Sequence, residues 1–166
     1  MKSLLLVIDL QKGWRYEDAS EEAMLNTVDL CKKFKGDMIH CCFKNNPESL
    51  FYKQLRWKRF MVPMDTDQIP EIKVLNIPVY WQSTYSRVNN ETLPILKKYD
   101  HVYIAGVFTD VSVASTAMDI FDCGIPVSIV KDCVGTLHGP MAHEYALHSL
   151  DFSIGPRNMV NSSDLV

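Results

Sequence analysis

The sequence predicts an α/β protein with three layers, in which a mainly parallel sheet of five or six strands lies between two layers of helices. Apolar runs of strand length alternate with segments of helical periodicity, an order that implies right-handed crossovers and parallel strands. The runs are continuously apolar, as in strands buried on both faces. No repeat, low-complexity stretch or linker interrupts this order, so residues 1–166 are expected to form one domain.

The first strand is predicted over residues 3–8, which contain the unbroken apolar run Leu4-Leu5-Leu6-Val7-Ile8. Further runs rich in β-branched, aromatic and other apolar residues predict the remaining strands. These lie at Met38–Phe43, Pro78–Trp81, His101–Ala105 and Val127–Val130, with a short sixth strand at Asn158–Val160. The fourth run is expected to break at Gly106.

Segments with one apolar stripe between suitable end residues predict four helices. They are expected over Glu21–Lys35, from Asn89 or Asn90 to Lys98 with Pro94 in the first turn, over Thr109–Cys123, and from Pro140 to about Leu150. Ser20 is suited to cap the first of these and Gly36 to end it. The third helix is expected to bury one face, formed by Val113, Ala117, Ile120 and Phe121.

Residues 44–76 form the least regular segment and are predicted to be a loop-rich insert near a pocket. Proline-containing stretches at Asn45-Asn46-Pro47 and from Pro63 to Pro70 interrupt it. Between them lie the aromatic residues Phe51, Tyr52, Trp57 and Phe60. These side chains either cover a pocket or fill gaps in the core, and the sequence leaves both alternatives open.

Composition and charge argue against several classes of function. The net charge of −3 argues against a nucleic-acid-binding protein. No apolar run approaches the roughly 20 residues that span a bilayer, and the N-terminal run lacks a small-residue cleavage site, so no membrane or signal segment is expected. Five cysteines without a CxxC spacing are expected to be reduced thiols, which indicates a cytoplasmic protein.

Three polar residues, Asp9, Gln82 and Ser112, follow the ends of predicted strands. The carboxyl ends of parallel strands meet at one edge of the sheet, where such proteins bind their ligands. A carboxylate beside an apolar strand is costly to bury, so Asp9 either caps a neighbouring loop or acts as a general acid or base with a raised pKa. Ser112, taken alone, is more typical of a helix cap than of a nucleophile.

Val7-Ile8-Asp9-Leu10-Gln11 resembles the opening of the isochorismatase-like, or cysteine hydrolase, superfamily. The similarity continues, in the same order, through Tyr85-Ser86, Gly106-Val107-Phe108-Thr109-Asp110-Val111-Ser112-Val113, Thr116-Ala117-Met118-Asp119, Asp122-Cys123-Gly124 and Val130-Lys131-Asp132. The Gly-Val-x-Thr-Asp block followed by Ala-x-Asp is its most specific part. The resemblance implies a Rossmann-like hydrolase fold, a homo-oligomer such as a dimer or tetramer, and a cis peptide bond between Val107 and Phe108.

The family's working triad is Asp, Lys and Cys, and the resemblance assigns these positions to Asp9, Gln82 and Ser112. A serine hydroxyl ionises less readily than a thiol, and no histidine lies in the matching motifs to serve as its base. Family members that hydrolyse isochorismate also lack the cysteine, and there the Asp protonates the enol-ether carbon before water completes the cleavage. By resemblance, Asp9 is the expected acid or base, with Gln82 and Ser112 as hydrogen-bonding groups.

The substrate pocket is expected to be apolar and aromatic and to take a compact planar or cyclic molecule. Its candidate lining residues are Trp14, Phe43, Tyr85, Val107 and Phe108. Arg87 or the Arg56–Arg59 cluster is the candidate for binding a carboxylate. Neither a metal nor another cofactor is expected, because the family's Asp-x-His cluster is missing after the second strand. His138, His143 and His148 have no ligand spacing, since the last two are five residues apart, and all three are expected to be surface or helix-capping residues.

Two functions are open at this point. One is a hydrolase acting on a small cyclic or carboxylated metabolite, with Asp9 as acid or base. The other is a catalytically degenerate family member that serves as a ligand-binding or oligomeric scaffold protein. A catalytic Asp9 should be buried beside a solvent-connected pocket with a raised pKa, whereas a relic should be exposed or plugged by side chains such as Trp14 and Phe108.

Overall fold

The computed structural model describes all 166 residues and contains one sheet in which every strand pair is parallel. The strands are β1 (Ser3–Ile8), β2 (Asp37–Phe43), β3 (Val79–Gln82), β4 (His101–Val107), β5 (Val127–Gly135) and β6 (Met159–Val160). They lie in the order β3-β2-β1-β4-β5-β6. The predicted α/β class with a parallel sheet is therefore confirmed.

Helices pack on both faces of the sheet. They are α1 (Glu21–Lys33), α2 (Leu50–Lys53), α3 (Pro63–Thr66), α4 (Pro70–Lys73), α5 (Leu93–Leu96), α6 (Ala114–Asp122) and α7 (Pro140–Ile154). Only α1, α6 and α7 are longer than about one turn. None of the helices combines the length and the apolar character that crossing a bilayer requires.

Alternate residues of β1 enter two separate cores, as the period of a strand requires. Leu4, Leu6 and Ile8 pack on one face with residues of α6 and α7. Leu5 and Val7 pack on the other face with residues of α1 and α4. All five are completely buried, and burying a side chain of this size contributes about 1.5–3 kcal/mol. β1 therefore joins the two helical layers.

β4 does not break at Gly106, where the sequence predicted its end, but continues to Val107. Gly106 has a φ of +115°, and a Cβ at this position would lie 2.1 Å from the carbonyl oxygen of Ile8. Glycine therefore permits the close approach of β1 and β4 rather than ending the strand. The pairing of β4 with β5 shifts register between Ile104 and Gly106.

β5 also passes its predicted end at Val130 and runs to Gly135. The polar residues Lys131 and Asp132 interrupt the apolar run, but they occupy the two positions of the strand that are not buried. The predicted sixth strand forms only at Met159–Val160.

The ends of two long helices differ from the prediction. α1 ends at Lys33, because Phe34 is already extended, with φ −61° and ψ 134°. Ser20 does not cap this helix: its Oγ donates to the carbonyl oxygen of Trp14 and accepts the Tyr16 N–H at 3.0 Å, so it holds the preceding turn. α7 continues past the predicted end at Leu150 to Ile154.

The segment predicted as one helix over Thr109–Cys123 is a wide π turn over Thr109–Val113 followed by α6. Phe121, predicted to be buried, is 51% exposed. At about 100° per residue it falls at the edge of the stripe that the buried Val113, Ala117 and Ile120 form. The short helix predicted from Asn89 or Asn90 is reduced to α5, with Pro94 in its first turn as expected.

Residues 44–76 contain α2, α3 and α4 joined by loops, and polar side chains hold the segment together. Asn45 Nδ2 donates to the carbonyl oxygens of Trp57 and Arg59, at 2.8 and 3.1 Å. Asp65 accepts the Phe60 N–H at 3.1 Å and pairs with Arg59 Nη2 at 2.6 Å. These bonds give the loops one fixed arrangement beside the carboxyl edge of the sheet.

Candidate functional site

The candidate site lies where the strand order reverses direction along the chain. From β1 the chain proceeds outward to β2 and β3, whereas from β4 it proceeds to β5 and β6 on the other side. Ligands of open α/β sheets bind beyond the carboxyl ends of the strands at such a switch point. Asp9 follows β1 here, Ser112 lies in the turn after β4, and both border a cavity of about 300 Å³.

The backbone of Asp9 turns away from the strand, with a φ of +57°. Its N–H still donates to the carbonyl oxygen of Cys41 on β2, at 3.0 Å. The next N–H, of Leu10, donates to Nε2 of the completely buried His40 at 3.1 Å. Nδ1 of the same ring contacts Gln68 Oε1 at 2.8 Å, so the imidazole is neutral and protonated on Nδ1. Burial lowers the pKa of His40 to about 4, in agreement with this neutral form.

Gln11 joins three segments around Asp9. Its Nε2 donates to the carbonyl oxygens of Phe43 and Thr66 at 2.7 and 2.8 Å, and its Oε1 accepts the Phe43 N–H at 2.8 Å. The side chain is completely buried, and both polar atoms of its amide group are hydrogen-bonded. Gln11 therefore fixes the end of β1 against the end of β2 and against the insert.

Arg87 brings a cation to the site. Only 1% of this side chain is exposed, and its Nη2 lies 2.5 Å from Asp9 Oδ2 and 3.5 Å from Ser112 Oγ. Its Nη1 donates to the carbonyl oxygen of Thr84, and its guanidinium lies 5.8 Å from the centre of the Phe43 ring. Arg87, five positions after Gln82, thus gives the Asp9 carboxylate the positive charge that the family resemblance led us to expect at position 82.

The protonation of Asp9 is set mainly by burial. Desolvation disfavours the charged carboxylate and raises the pKa of Asp9 to about 6, although the charge and the hydrogen bond of Arg87 act in the opposite direction. Oδ2 is held by Arg87, while the buried Oδ1 has no hydrogen-bond partner in the chain. Near neutral pH the group can therefore both donate and accept a proton, and Oδ1 is the oxygen that has no hydrogen-bond partner in the chain.

Two predicted site residues do not border the cavity. Gln82 Nε2 donates to the carbonyl oxygen of Arg87 at 3.3 Å. Its side chain therefore holds the backbone at Arg87 and does not line the cavity. Val107 is completely buried in the core that α1 covers, because the chain turns at this point and presents Phe108 to the cavity instead. The peptide bond between Val107 and Phe108 is cis.

The cavity walls are mainly aromatic. Of the predicted lining residues, Trp14, Phe43, Tyr85 and Phe108 border it. The insert adds the side chains of Phe51, Leu55 and Trp57. The rings contact one another: Trp14 meets Phe108 edge-on at 5.0 Å and Trp57 in a stack at 5.7 Å between centroids. Phe60 lies outside the cavity and is completely buried, so the insert both covers a pocket and fills the core.

The alternative carboxylate-binding cluster from Arg56 to Arg59 does not reach the cavity. Arg59 is paired with Asp65, and neither Arg56 nor Lys58 borders the cavity. Sequence reasoning proposed Arg87 for a ligand carboxylate but did not find its contact with Asp9. It interpreted His138 as a surface or helix-capping residue, whereas this residue, from the loop after β5, borders the same cavity. The structure brings together no group of three His, Cys, Asp or Glu residues that could hold a metal ion.

The fold and the site define a Rossmann-like α/β protein with a small-molecule cavity at the carboxyl edge of its sheet. The Isochorismatase domain family model matches residues 3–157, and the chain therefore belongs to the isochorismatase family of hydrolases. The family resemblance of the sequence motifs is thus confirmed. No curated protein sequence matches the chain.

Solved structures share this fold. An isochorismatase-like hydrolase from Alkaliphilus metalliredigens is 20% identical, with 99% of this chain and 97% of that chain covered and a TM-score of 0.78. A nicotinamidase/pyrazinamidase from Bacillus subtilis is 19% identical, with 97% of this chain and 100% of that chain covered and a TM-score of 0.79. An N-carbamoylsarcosine amidase from Thermoplasma acidophilum is 17% identical, with 100% of this chain and 99% of that chain covered and a TM-score of 0.80. At such identities the similarity establishes the fold, and the activity must be argued from the residues.

Proposed function

We propose that the chain is a hydrolase that cleaves a small cyclic or carboxylated metabolite without forming a covalent intermediate, and that Asp9 is its acid and base. The observation that carries the proposal is the position of Asp9. Its carboxyl group is 4% exposed, has a pKa raised to about 6, and borders a cavity that is not filled by Trp14 or Phe108. These are the properties expected of a catalytic carboxyl group rather than of a relic, and they disfavour the degenerate scaffold.

The reaction that suits this site is the hydrolysis of a vinyl ether. Asp9 Oδ1 transfers its proton to the terminal vinyl carbon, which leaves a cation at the ether carbon, and water then forms a bond to that carbon. The resulting hemiketal collapses to an alcohol and a ketone as the ether bond breaks. Arg87 holds Asp9 in place through Oδ2, and its guanidinium, which borders the same cavity, is the proposed partner of a substrate carboxylate.

A covalent route through Ser112 has less support. The Ser112 hydroxyl lies 3.5 Å from Arg87 Nη2 and has no hydrogen bond to a base that would take its proton. A serine nucleophile requires such a base. Ser112 and Gln82 are therefore proposed as polar supporting groups, Ser112 at the cavity wall and Gln82 beneath Arg87.

The test compares the natural protein with Asp9→Asn, using isochorismate as the vinyl-ether probe and nicotinamide as the amide probe. Pyruvate release from isochorismate is expected, with a kcat about 100- to 10,000-fold lower in Asp9→Asn. Thermal unfolding of both proteins controls for folding. Pyruvate release that survives the substitution, or a natural protein that releases no pyruvate, would overturn the proposal. Amide cleavage gained by Gln82→Lys with Ser112→Cys in an otherwise inactive protein would favour the degenerate alternative.

The proposed setting is a homo-oligomer, such as a dimer or tetramer, in the cytoplasm. Large apolar side chains are exposed on α6 and α7, where Phe152 is 89% and Met141 72% accessible in the single chain. Surfaces of this kind commonly mark contacts between proteins. A molar mass of one chain by light scattering would contradict the oligomer. The five free cysteines fit a reducing compartment.

A further inference from the structure

The loop between β5 and α7 contributes a histidine to the cavity that the proposed reaction has not yet used. His138 borders the cavity together with Asp9, Arg87 and Ser112. His138 follows β5, Asp9 follows β1 and Ser112 follows β4. These strands are neighbours in the sheet, and each is therefore followed by a polar side chain at the cavity. Almost half of the His138 side chain is exposed, at 46%, which leaves it accessible to water.

A carboxylate holds the His138 ring. Asp110 Oδ2 lies 2.7 Å from His138 Nδ1, and the Asp110 side chain is 21% exposed. Burial by itself raises the pKa of Asp110, but hydrogen bonding, including that from His138, outweighs it and the pKa lies below its ordinary value. Asp110 is therefore ionised at neutral pH and can accept a hydrogen bond from His138 Nδ1.

This contact fixes the position and the tautomer of the ring. The His138 N–H donates to Thr136 Oγ1 at 3.2 Å, which fixes the backbone of the loop, and the Phe108 ring lies 5.8 Å away on one side. With Nδ1 protonated, Nε2 carries the free electron pair, and Nε2 has no hydrogen-bond partner in the chain. An imidazole oriented by a carboxylate, with its other nitrogen unprotonated, is the usual arrangement of a general base.

We propose that His138 is the general base that takes a proton from the attacking water, and that Asp110 is its positioning residue. This inference rests on the proposed function, because it supplies the second proton-transfer group which that hydrolysis needs. The base acts on water rather than on Ser112, since the Ser112 hydroxyl is within reach of Arg87 Nη2 and has no hydrogen bond to His138.

The proton transfers then balance. Asp9 gives its proton to the vinyl carbon, and water bonds to the ether carbon while His138 Nε2 takes one of its protons. In the second half, protonated His138 gives this proton to the ether oxygen as the carbon–oxygen bond breaks. The Asp9 carboxylate takes the hydroxyl proton of the hemiketal as the ketone forms, so both groups return to their starting state.

The experiment measures pyruvate release from isochorismate by the full-length protein and by His138→Gln, His138→Ala, Asp110→Asn and Asp9→Asn. His148→Gln is the matched control, because His148 lies exposed on α7 and away from the cavity. His138→Gln is expected to lower kcat about 100- to 1000-fold, and the control to leave it unchanged. Added imidazole should restore part of the rate of His138→Ala but none of that of Asp9→Asn, a rescue that a structural role would not show.

The role of Asp110 has its own readout. Asp110→Asn is expected to lower kcat with little change in KM, and ¹⁵N NMR should show His138 losing its preference for the Nδ1-protonated tautomer. A His138 ring protonated on Nε2 in the natural protein would overturn the assignment even without a substrate.

The remaining outcomes separate this inference from the proposed function. Turnover that depends on Asp9 but survives His138→Gln overturns the base and leaves the proposed function standing. A covalent adduct on Ser112 in quenched reactions, detected by intact mass, overturns the role of water. A natural protein that releases no pyruvate overturns the proposed function and the base together.

Discussion

Asp9 and Asp110 follow neighbouring parallel strands, yet their surroundings shift their pKa values in opposite directions. Asp9 is deeply buried beneath aromatic rings, and desolvation raises its pKa to about 6 in spite of Arg87. Asp110 is also partly buried, but hydrogen bonds stabilise its charged form and its pKa is lowered. One edge of the sheet therefore holds a carboxyl group that exchanges protons near neutral pH and another that stays ionised. Such a divergence suits the proposed roles, in which Asp9 exchanges protons and Asp110 holds the His138 ring.

The largest effect is expected from removing the partner of Asp9. Arg87→Met leaves a buried carboxylate without its cation, which should lower the free energy of unfolding by about 3–5 kcal/mol at pH 8. At pH 5 the loss should be smaller, because Asp9 is then protonated. Urea unfolding at both pH values measures this, with Lys32→Met as a control, because Lys32 and Asp29 form an exposed pair worth at most about 1 kcal/mol. Equal losses at both pH values would contradict the charge-based explanation.

The next effect concerns the two carboxyl groups directly. The folded pKa of Asp9 lies above the unfolded value of 3.8, so its stabilising contribution is complete below pH 3.8 and is lost as the pH rises through about 6. The difference in unfolding free energy between the natural protein and Asp9→Asn should therefore fall by about 2 kcal/mol from pH 4 to pH 7.

Asp110 should show the opposite slope. Its folded pKa is lowered, so its contribution is present above the unfolded pKa and is lost as the pH falls through the folded one. The difference between the natural protein and Asp110→Asn should thus shrink on acidification. Slopes of the same sign for the two variants would remove the distinction between the carboxyl groups.

The smallest effect is expected from a change in the aromatic wall. Trp14 Nε1 is buried without a hydrogen-bond partner, so Trp14→Phe removes an unsatisfied donor along with some packing. The free energy of unfolding, obtained from thermal unfolding, should change by about 1 kcal/mol or less. The smaller ring admits more water to Asp9, and its pKa, followed by carboxyl ¹³C NMR, should move toward the ordinary value. An unchanged or higher pKa would count against desolvation as its main cause.

Local patterns were sufficient to predict the sheet. The apolar run of β1 and the stripes of α1 and α6 depend on neighbouring residues. β1 and α1 were recognised to within two residues of their ends, whereas α6 begins five residues after the start of the predicted helix. Gly106 was misread because a glycine that ends a strand and a glycine that permits two strands to approach have the same local signature. Val107 was misassigned to the cavity because the side of the sheet that its side chain faces depends on the turn that the chain makes beside β1.

The site depends on contacts that are distant in the sequence. Asp9 was found because it ends a strand, and a polar residue at that point is a local signal. Its partner Arg87 is 78 positions away, and Asp110 and His138 are 28 apart. In both pairs a loop carries one of the two residues, and no periodicity predicts where that loop will fold. The only sequence signal for Arg87 was its positive charge close to Gln82, the position at which the family resemblance leads one to expect a lysine.

The stacked pair of Trp14 and Trp57 gives the protein a built-in optical probe. The two indoles lie 5.7 Å apart with their planes inclined by 16°, and both border the cavity. The third tryptophan, Trp81, is on β3, outside the cavity and 46% exposed. A molecule that enters the cavity must disturb the stacked pair and leave Trp81 alone, so fluorescence emission and near-ultraviolet circular dichroism can report occupancy by compounds that are never turned over.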